Sequence, residues 1–295
     1  MGDWTNEGIA AWEARGTRLP IGGNDVFYVD APATGSDDHE PLLVIHGFPT
    51  SSYDYAEVLP ALTSHRRVVL MDMVGCGFSS KPDAPYTIAL QADVVEGVVA
   101  AAGLTRFALL THDMGDTVGG ELLARQTAGA WDVEVTRRVV TNGSIYIEMA
   151  HLTDGQQLLL ALPDELLPEG VGADATALAK TLAATFAEKN HGMDMTPHAE
   201  LQISDGGYRI LPRLIRYIEE RRANERRFTG AIETHPSPLH IVWGPEDPIA
   251  VAEMAPTLQA ARPDATLTWI DGAGHYPQIE DPSAWTAAVL AALDD

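Results

Sequence analysis

Apolar positions along this chain fall into short continuous runs separated by helical stretches, and that alternation gives the first expectation. Residues 41–45 (Pro-Leu-Leu-Val-Ile) and 107–110 (Phe-Ala-Leu-Leu) are apolar at every position, which predicts strands buried on both faces. Further strands are expected at 67–71, 138–141, 236–244 and 265–270. Between them lie helical patterns at 53–62, 87–103, from Thr117 onward, at 251–261 and at 282–293. In the second of these, Val95, Val98, Val99 and Ala102 recur at i, i+3, i+4 and i+7, the stripe of an amphipathic helix. Such β-α alternation predicts an α/β fold: a parallel sheet with right-handed crossovers and helices on both faces.

Ahead of this core, residues 1–16 read as a short helix with Trp4, Ile9 and Trp12 on one side. Residues 17–30 alternate apolar and polar around Gly22-Gly23-Asn24-Asp25, a hairpin signal, and 31–40 form a polar loop. The rhythm changes across 144–233, where helical patterns at 156–162, 174–189 and 208–227 are broken by Pro and Gly and no buried strand appears. The expected organisation is a core in two parts, 1–143 and 234–295, with a helical insertion at 144–233.

Length and charge narrow the function classes. A chain of 295 residues buries roughly three quarters of its unfolded surface. No apolar run approaches the ~20 residues of a membrane span, and no basic-then-apolar leader opens the sequence. The net charge of −23 argues against nucleic acid and anionic membranes as partners. Only Cys76 is present, so internal disulfides are ruled out, and a reducing cytoplasmic location is expected. Monomer and dimer both fit this composition.

The chemistry centres on Thr111-His112-Asp113-Met114-Gly115, between the 107–110 strand and the helix beginning near Thr117. This is the strand-turn-helix context of a nucleophile elbow, whose central side chain is pushed clear of the sheet at a helix N-terminus. Here that residue is Asp113, where most such elbows carry Ser, and a helix N-cap is the competing use of an Asp in this place. Three other expected strand ends carry suggestive residues: His46-Gly47-Phe48-Pro49, Asp247 in Gly244-Pro-Glu-Asp247, and His275 in Gly272-Ala-Gly-His275. Functional residues gather beyond such strand ends. The order nucleophile, acid, histidine is that of an α/β-hydrolase triad.

These motifs resemble the α/β-hydrolase superfamily, and within it the Asp-nucleophile branch of epoxide hydrolases and haloalkane dehalogenases. The stretches His46–Asp54, Thr111–Asp116 and Gly274–Pro282 are most similar to the mesoderm-specific transcript protein and its bacterial relatives. The resemblance implies an eight-stranded, mostly parallel sheet with a helical cap inserted after the sixth strand. It implies Asp113 as nucleophile, His275 as base and Asp247 as its orienting acid, with the backbone N–H groups of Phe48 and Met114 as oxyanion hole. Asn142 stands where some dehalogenases keep the triad acid, and as an amide it cannot fill that role.

A carboxylate gains little by attacking an acyl carbon, whereas attack on saturated carbon gives a stable alkyl ester. An epoxide oxygen then needs an acid, and Tyr217 sits where the family's cap tyrosine lies, with Tyr146 or Tyr208 as a second donor. The halide-binding Trp of dehalogenases is absent after the nucleophile (Met114) and from the insertion. An epoxide hydrolase acting on a small apolar electrophile without cofactor or metal is therefore expected, ahead of a dehalogenase or a ligand-binding protein on a hydrolase scaffold. His112 reads as a buried structural histidine, Asp116 as a partner of the helix dipole, Cys76 as a small residue near the site, and His191, Asp194 and His198 as solvated loop residues.

Overall fold

A computed structural model describes residues 4–294. The start of the helix expected at 1–16 lies outside them; α1 spans Glu7–Glu13, capped by the Asn6 side chain. Strands β1 (Thr17–Ile21) and β2 (Asn24–Ala31) form the expected hairpin, and Ile21 pairs with Asn24 across Gly22-Gly23. Both glycines have positive φ (57° and 84°), as a two-residue turn that matches strand twist requires.

Six further strands follow: β3 (Leu42–Ile45), β4 (Val68–Met71), β5 (Arg106–His112), β6 (Glu134–Thr141), β7 (Leu239–Trp243) and β8 (Thr266–Trp269). They complete an eight-stranded sheet in the order β1-β2-β4-β3-β5-β6-β7-β8. β2 pairs antiparallel with β1 and β4, and every pair from β4 to β8 is parallel. β3, β4 and β7 are buried at every residue, which is why their sequences are unbroken apolar runs. β8, at the sheet edge, has no fully buried residue.

Alternate side chains of the central strands enter opposite cores. Leu43, Ile45, Val69, Met71, Phe107 and Leu109 pack against α3 (Ile88–Ala101), α4 (Met114–Thr127), α9 (Tyr217–Thr234) and α10 (Met254–Ala261). Leu42, Val44, Val68, Leu70, Ala108 and Leu110 face α1, α2 (Leu59–Leu62) and α12 (Pro282–Asp294). The helix expected at 53–62 is in fact a 3₁₀ turn at Ser52–Tyr55 followed by α2, because Pro60 fits only the first turn of a helix.

Between β6 and β7 lie α5 (Asp154–Ala161), α6 (Ala175–Ala183), α7 (Thr196–Ile203), α8 (Leu211–Leu214) and α9. The helix expected at 174–189 stops at Ala183, where the Thr185 hydroxyl donates to the Leu182 carbonyl and the Thr185 carbonyl accepts the His275 N–H at 3.0 Å. The pattern at 208–227 divides into α8, which opens on Pro212, and α9, which continues to Thr234. α11 (Pro277–Glu280) directly follows the His275 loop. No helix among the described residues is long and apolar enough to cross a membrane.

Candidate active site

β5 ends at His112 and α4 begins at Met114, leaving Asp113 alone in the turn with φ 50° and ψ −115°. A non-glycine residue there costs about 1–3 kcal/mol and persists only where its surroundings enforce it. The enforcement is steric and hydrogen-bonded. A Cβ at Gly115 would lie 2.5 Å from the Ile45 carbonyl oxygen, so that position admits no side chain. The Asp113 N–H donates to the Thr141 carbonyl at 3.3 Å, and the Asp113 carbonyl accepts the Asp116 N–H at 3.0 Å.

The Asp113 side chain is buried, and it does not cap the helix. Its Oδ2 accepts the Phe48 N–H at 2.8 Å, and the Met114 N–H lies near enough to favour the charged carboxylate. Its Oδ1 faces His275 Nε2 at 3.9 Å, too far for a hydrogen bond. One oxygen is thus held by the Phe48 N–H while the other faces an imidazole. Burial pushes this carboxyl above the usual range, opposed by the charge of His275, the Phe48 N–H, the charge of Arg221 and the Met114 N–H.

His275 Nδ1 donates to Asp247 Oδ2 at 2.7 Å. The other Asp247 oxygen accepts the Ile249 and Ala250 N–H groups at 2.7 and 3.0 Å. Burial alone would depress the imidazole, but the charge and hydrogen bond of Asp247, with Asp113 adding to them, hold its pKa up to about 9. The structure therefore joins Asp113, His275 and Asp247 in one chain, with the N–H groups of Phe48 and Met114 at its far end.

Tyr217 opens α9, fully buried, with its ring 5.6 Å from that of Phe48. Burial and the nearby Asp113 charge push its phenol up, so it keeps its proton at neutral pH. Tyr208 lines the cavity described below, and its hydroxyl accepts the Gly170 N–H at 3.2 Å. Tyr146 is turned elsewhere, its hydroxyl donating to Glu233 at 3.0 Å; of the three candidate tyrosines Tyr208 lines the cavity, whereas Tyr146 and Tyr217 do not.

His112 is buried, with Nε2 donating to the His275 carbonyl at 2.7 Å. Cys76 is buried, and burial pushes its thiol up. Asp116 does more than face the helix dipole: it accepts a hydrogen bond from Thr111, which accounts for a side chain larger than glycine at that position. His191 and Asp194 are exposed, but His198 is not a solvated loop residue. It lies on α7 with Nε2 3.6 Å from the buried Asp54 carboxylate, and burial lowers its pKa to about 4.

Two further residues stand at the site: Asn142, which as an amide could not be the triad acid, and Arg221, which no motif singled out. Asn142, with φ 46°, donates to Asp247 Oδ2 at 2.9 Å and to the Gly244 and Gly274 carbonyls at 3.1 and 3.2 Å. It braces the Asp247 carboxylate that orients His275. Arg221, buried one helical turn after Tyr217, sets its guanidinium 5.5 Å over that ring and is felt electrostatically by Asp113. Its position four residues after Tyr217 was the available signal.

A cavity of about 450 Å³ opens from Phe48, His275 and Tyr276 toward α5 and α6. Its wall is mostly Leu, Val, Ala and Ile side chains and contains no Asp, Glu, Lys or Arg. The arrangement suits attack by a carboxylate on an apolar molecule whose reacting atom reaches the Asp113–His275 gap.

Residues 40–282 match a family model described as alpha/beta hydrolase fold. The chain is 34% identical over 292 residues to LipZ of Mycobacterium tuberculosis, covering 99% of this chain and 100% of that protein. It is 31% identical over 305 residues to the mouse mesoderm-specific transcript protein, covering 97% and 88% of the two. The crystal structure of the haloalkane dehalogenase DbeA-M1 loop variant from Bradyrhizobium elkanii matches with a TM-score of 0.73 at 18% identity, over 95% of this chain and 96% of that one. At that identity the likeness concerns the fold.

Proposed function

This chain is a hydrolase of the alpha/beta hydrolase fold family, and from that premise we propose that it opens apolar epoxides to vicinal diols through an ester on Asp113. The observation that carries the reading is the Asp113 carboxylate, with one oxygen on the Phe48 N–H at 2.8 Å and the other free 3.9 Å from His275. Asp113 Oδ1 attacks a ring carbon, the C–O bond breaks, and the departing oxygen takes the phenolic proton of Tyr217. Residues 144–233 form the cap that brings this tyrosine over the core.

In the second step the Tyr217 phenolate takes the proton of His275, and the neutral imidazole, oriented by Asp247, removes a proton from water, which adds to the ester carbonyl carbon. Negative charge then gathers on the oxygen held by the Phe48 N–H, with the Met114 N–H as second donor in this scheme, where one such donor is worth about 3 kcal/mol of barrier. Collapse frees the diol with the proton of the regenerated carboxyl, and His275 keeps the proton taken from water, which restores the resting site. No cofactor or metal enters the scheme.

A halide ion leaves without a proton but needs N–H donors such as Trp or Asn, and neither residue type lines this cavity. Diol formation from styrene oxide, set against bromide release from a panel of bromoalkanes, tests the reading. Diol without bromide is expected. Bromide release without diol would make the protein a dehalogenase, and neither product would leave a ligand-binding protein on this scaffold.

A further inference from the structure

Helix α5 carries Leu158, Leu159 and Leu160, yet none of its residues is fully buried. A helix this apolar normally hides its face against a core. Here Leu159 and Leu160 pack only partly buried against the core, and Leu158 and Leu159 line the cavity whose inner end is Phe48, His275 and Tyr276. Leu178 and Leu182 of α6 line it as well.

The polar lining side chains are engaged within the protein. Thr181 and Thr185 donate to helix carbonyls at 3.1 and 2.7 Å, Thr153 and Gln156 form a capping box, and the Tyr276 hydroxyl donates to the Phe48 carbonyl at 3.3 Å. The wall offers hydrocarbon contact and, beyond the reacting groups, little to a polar substituent. Its outer end is also apolar. Leu158 is 65% exposed and Val171 49%, two of the four large hydrophobic side chains exposed among the described residues, and both stand on this cavity. Scattered exposed hydrophobics are ordinary; two on one cavity mark where something apolar passes.

We infer that this cavity is the seat of a linear hydrocarbon chain, so that the substrate is a long-chain molecule with its reactive carbon at the inner end and its tail leaving between Leu158 and Val171. The tail is what completes the burial of α5. The identity of the reactive group rests on the epoxide reading; the chain site does not.

Binding of unreactive 1-alkanols of increasing length to the full-length protein, measured by calorimetry, tests it. Each added methylene that is buried should tighten binding about three- to fourfold, with the gain ending once the tail passes the rim. The exposed pair L158D/V171D should weaken the longest alkanols severalfold and leave the shortest unchanged. A cavity-filling Leu182→Phe should end the gain at shorter chains. Affinity independent of chain length, or losses in the aspartate pair equal for short and long alkanols, would overturn the chain site. Because alkanols do not react, length-dependent binding without epoxide turnover would sink the epoxide chemistry and leave the site standing. Turnover of epoxides with flat alkanol binding would do the reverse.

Discussion

Asp113 shows how much of a site can be written in a few residues. Its chemistry depends on a strand end, a turn too tight for a side chain at Gly115 and a helix start, all of them local, so the sequence alone singles it out. Arg221 was not legible in this way, and Asn142 was legible only as an amide in the place of a triad acid, not as the brace of Asp247. What they touch is decided by how α9 lies on the core and how the ends of β6 and β7 meet, which no spacing encodes. Tyr217 is the sharpest test at this scale, since its phenol is asked to protonate an alkoxide. Tyr217→Phe should slow formation of the Asp113 ester from an epoxide by about 10²–10⁴, while hydrolysis of ester already formed stays unchanged. Stopped-flow and quenched single turnovers separate the two steps. A loss of less than about tenfold in the first step would remove Tyr217 from the role of acid.

At the scale of elements, the central strands were legible because burial on both faces leaves only apolar residues. Helix boundaries in 144–233 were not, because the 208–227 pattern crosses from α8 into α9 and Pro197 hides α7. Asn142 ties three segments together, from the end of β6 to Gly244 after β7 and to Gly274 beside His275. Asn142→Ala would leave buried groups unpaired at a backbone position with φ 46°, where alanine is strained. A loss of about 1–3 kcal/mol in stability is expected, read as a lower urea midpoint at constant slope. Turnover should fall with it, because the Asp247 carboxylate loses a brace. An unchanged midpoint would mean the strand ends are held otherwise.

For the molecule as a whole, stability should follow the protonation of His275. Its pKa is raised to about 9 in the fold, against 6.5 in an unfolded chain. The folded state therefore binds this proton more tightly, and the stabilisation is full below pH 6.5 and lost as pH rises through about 9. A decline in melting temperature between these limits is expected, and His275→Gln should flatten it; an equal decline in the variant would contradict the account. In the proposed scheme Asp113 becomes a neutral ester, and one of the two carboxylates holding that proton is gone. The imidazole is then freed to act as a base below pH 9.

The central claim is that the oxygen delivered to substrate comes from Asp113. A single turnover of a terminal epoxide with excess enzyme in water enriched in ¹⁸O, followed by mass spectrometry of the diol and of the Asp113 peptide, tests it directly. The account predicts label in the peptide and none in the diol of that first turnover. Label in the diol with an unlabelled peptide would contradict it.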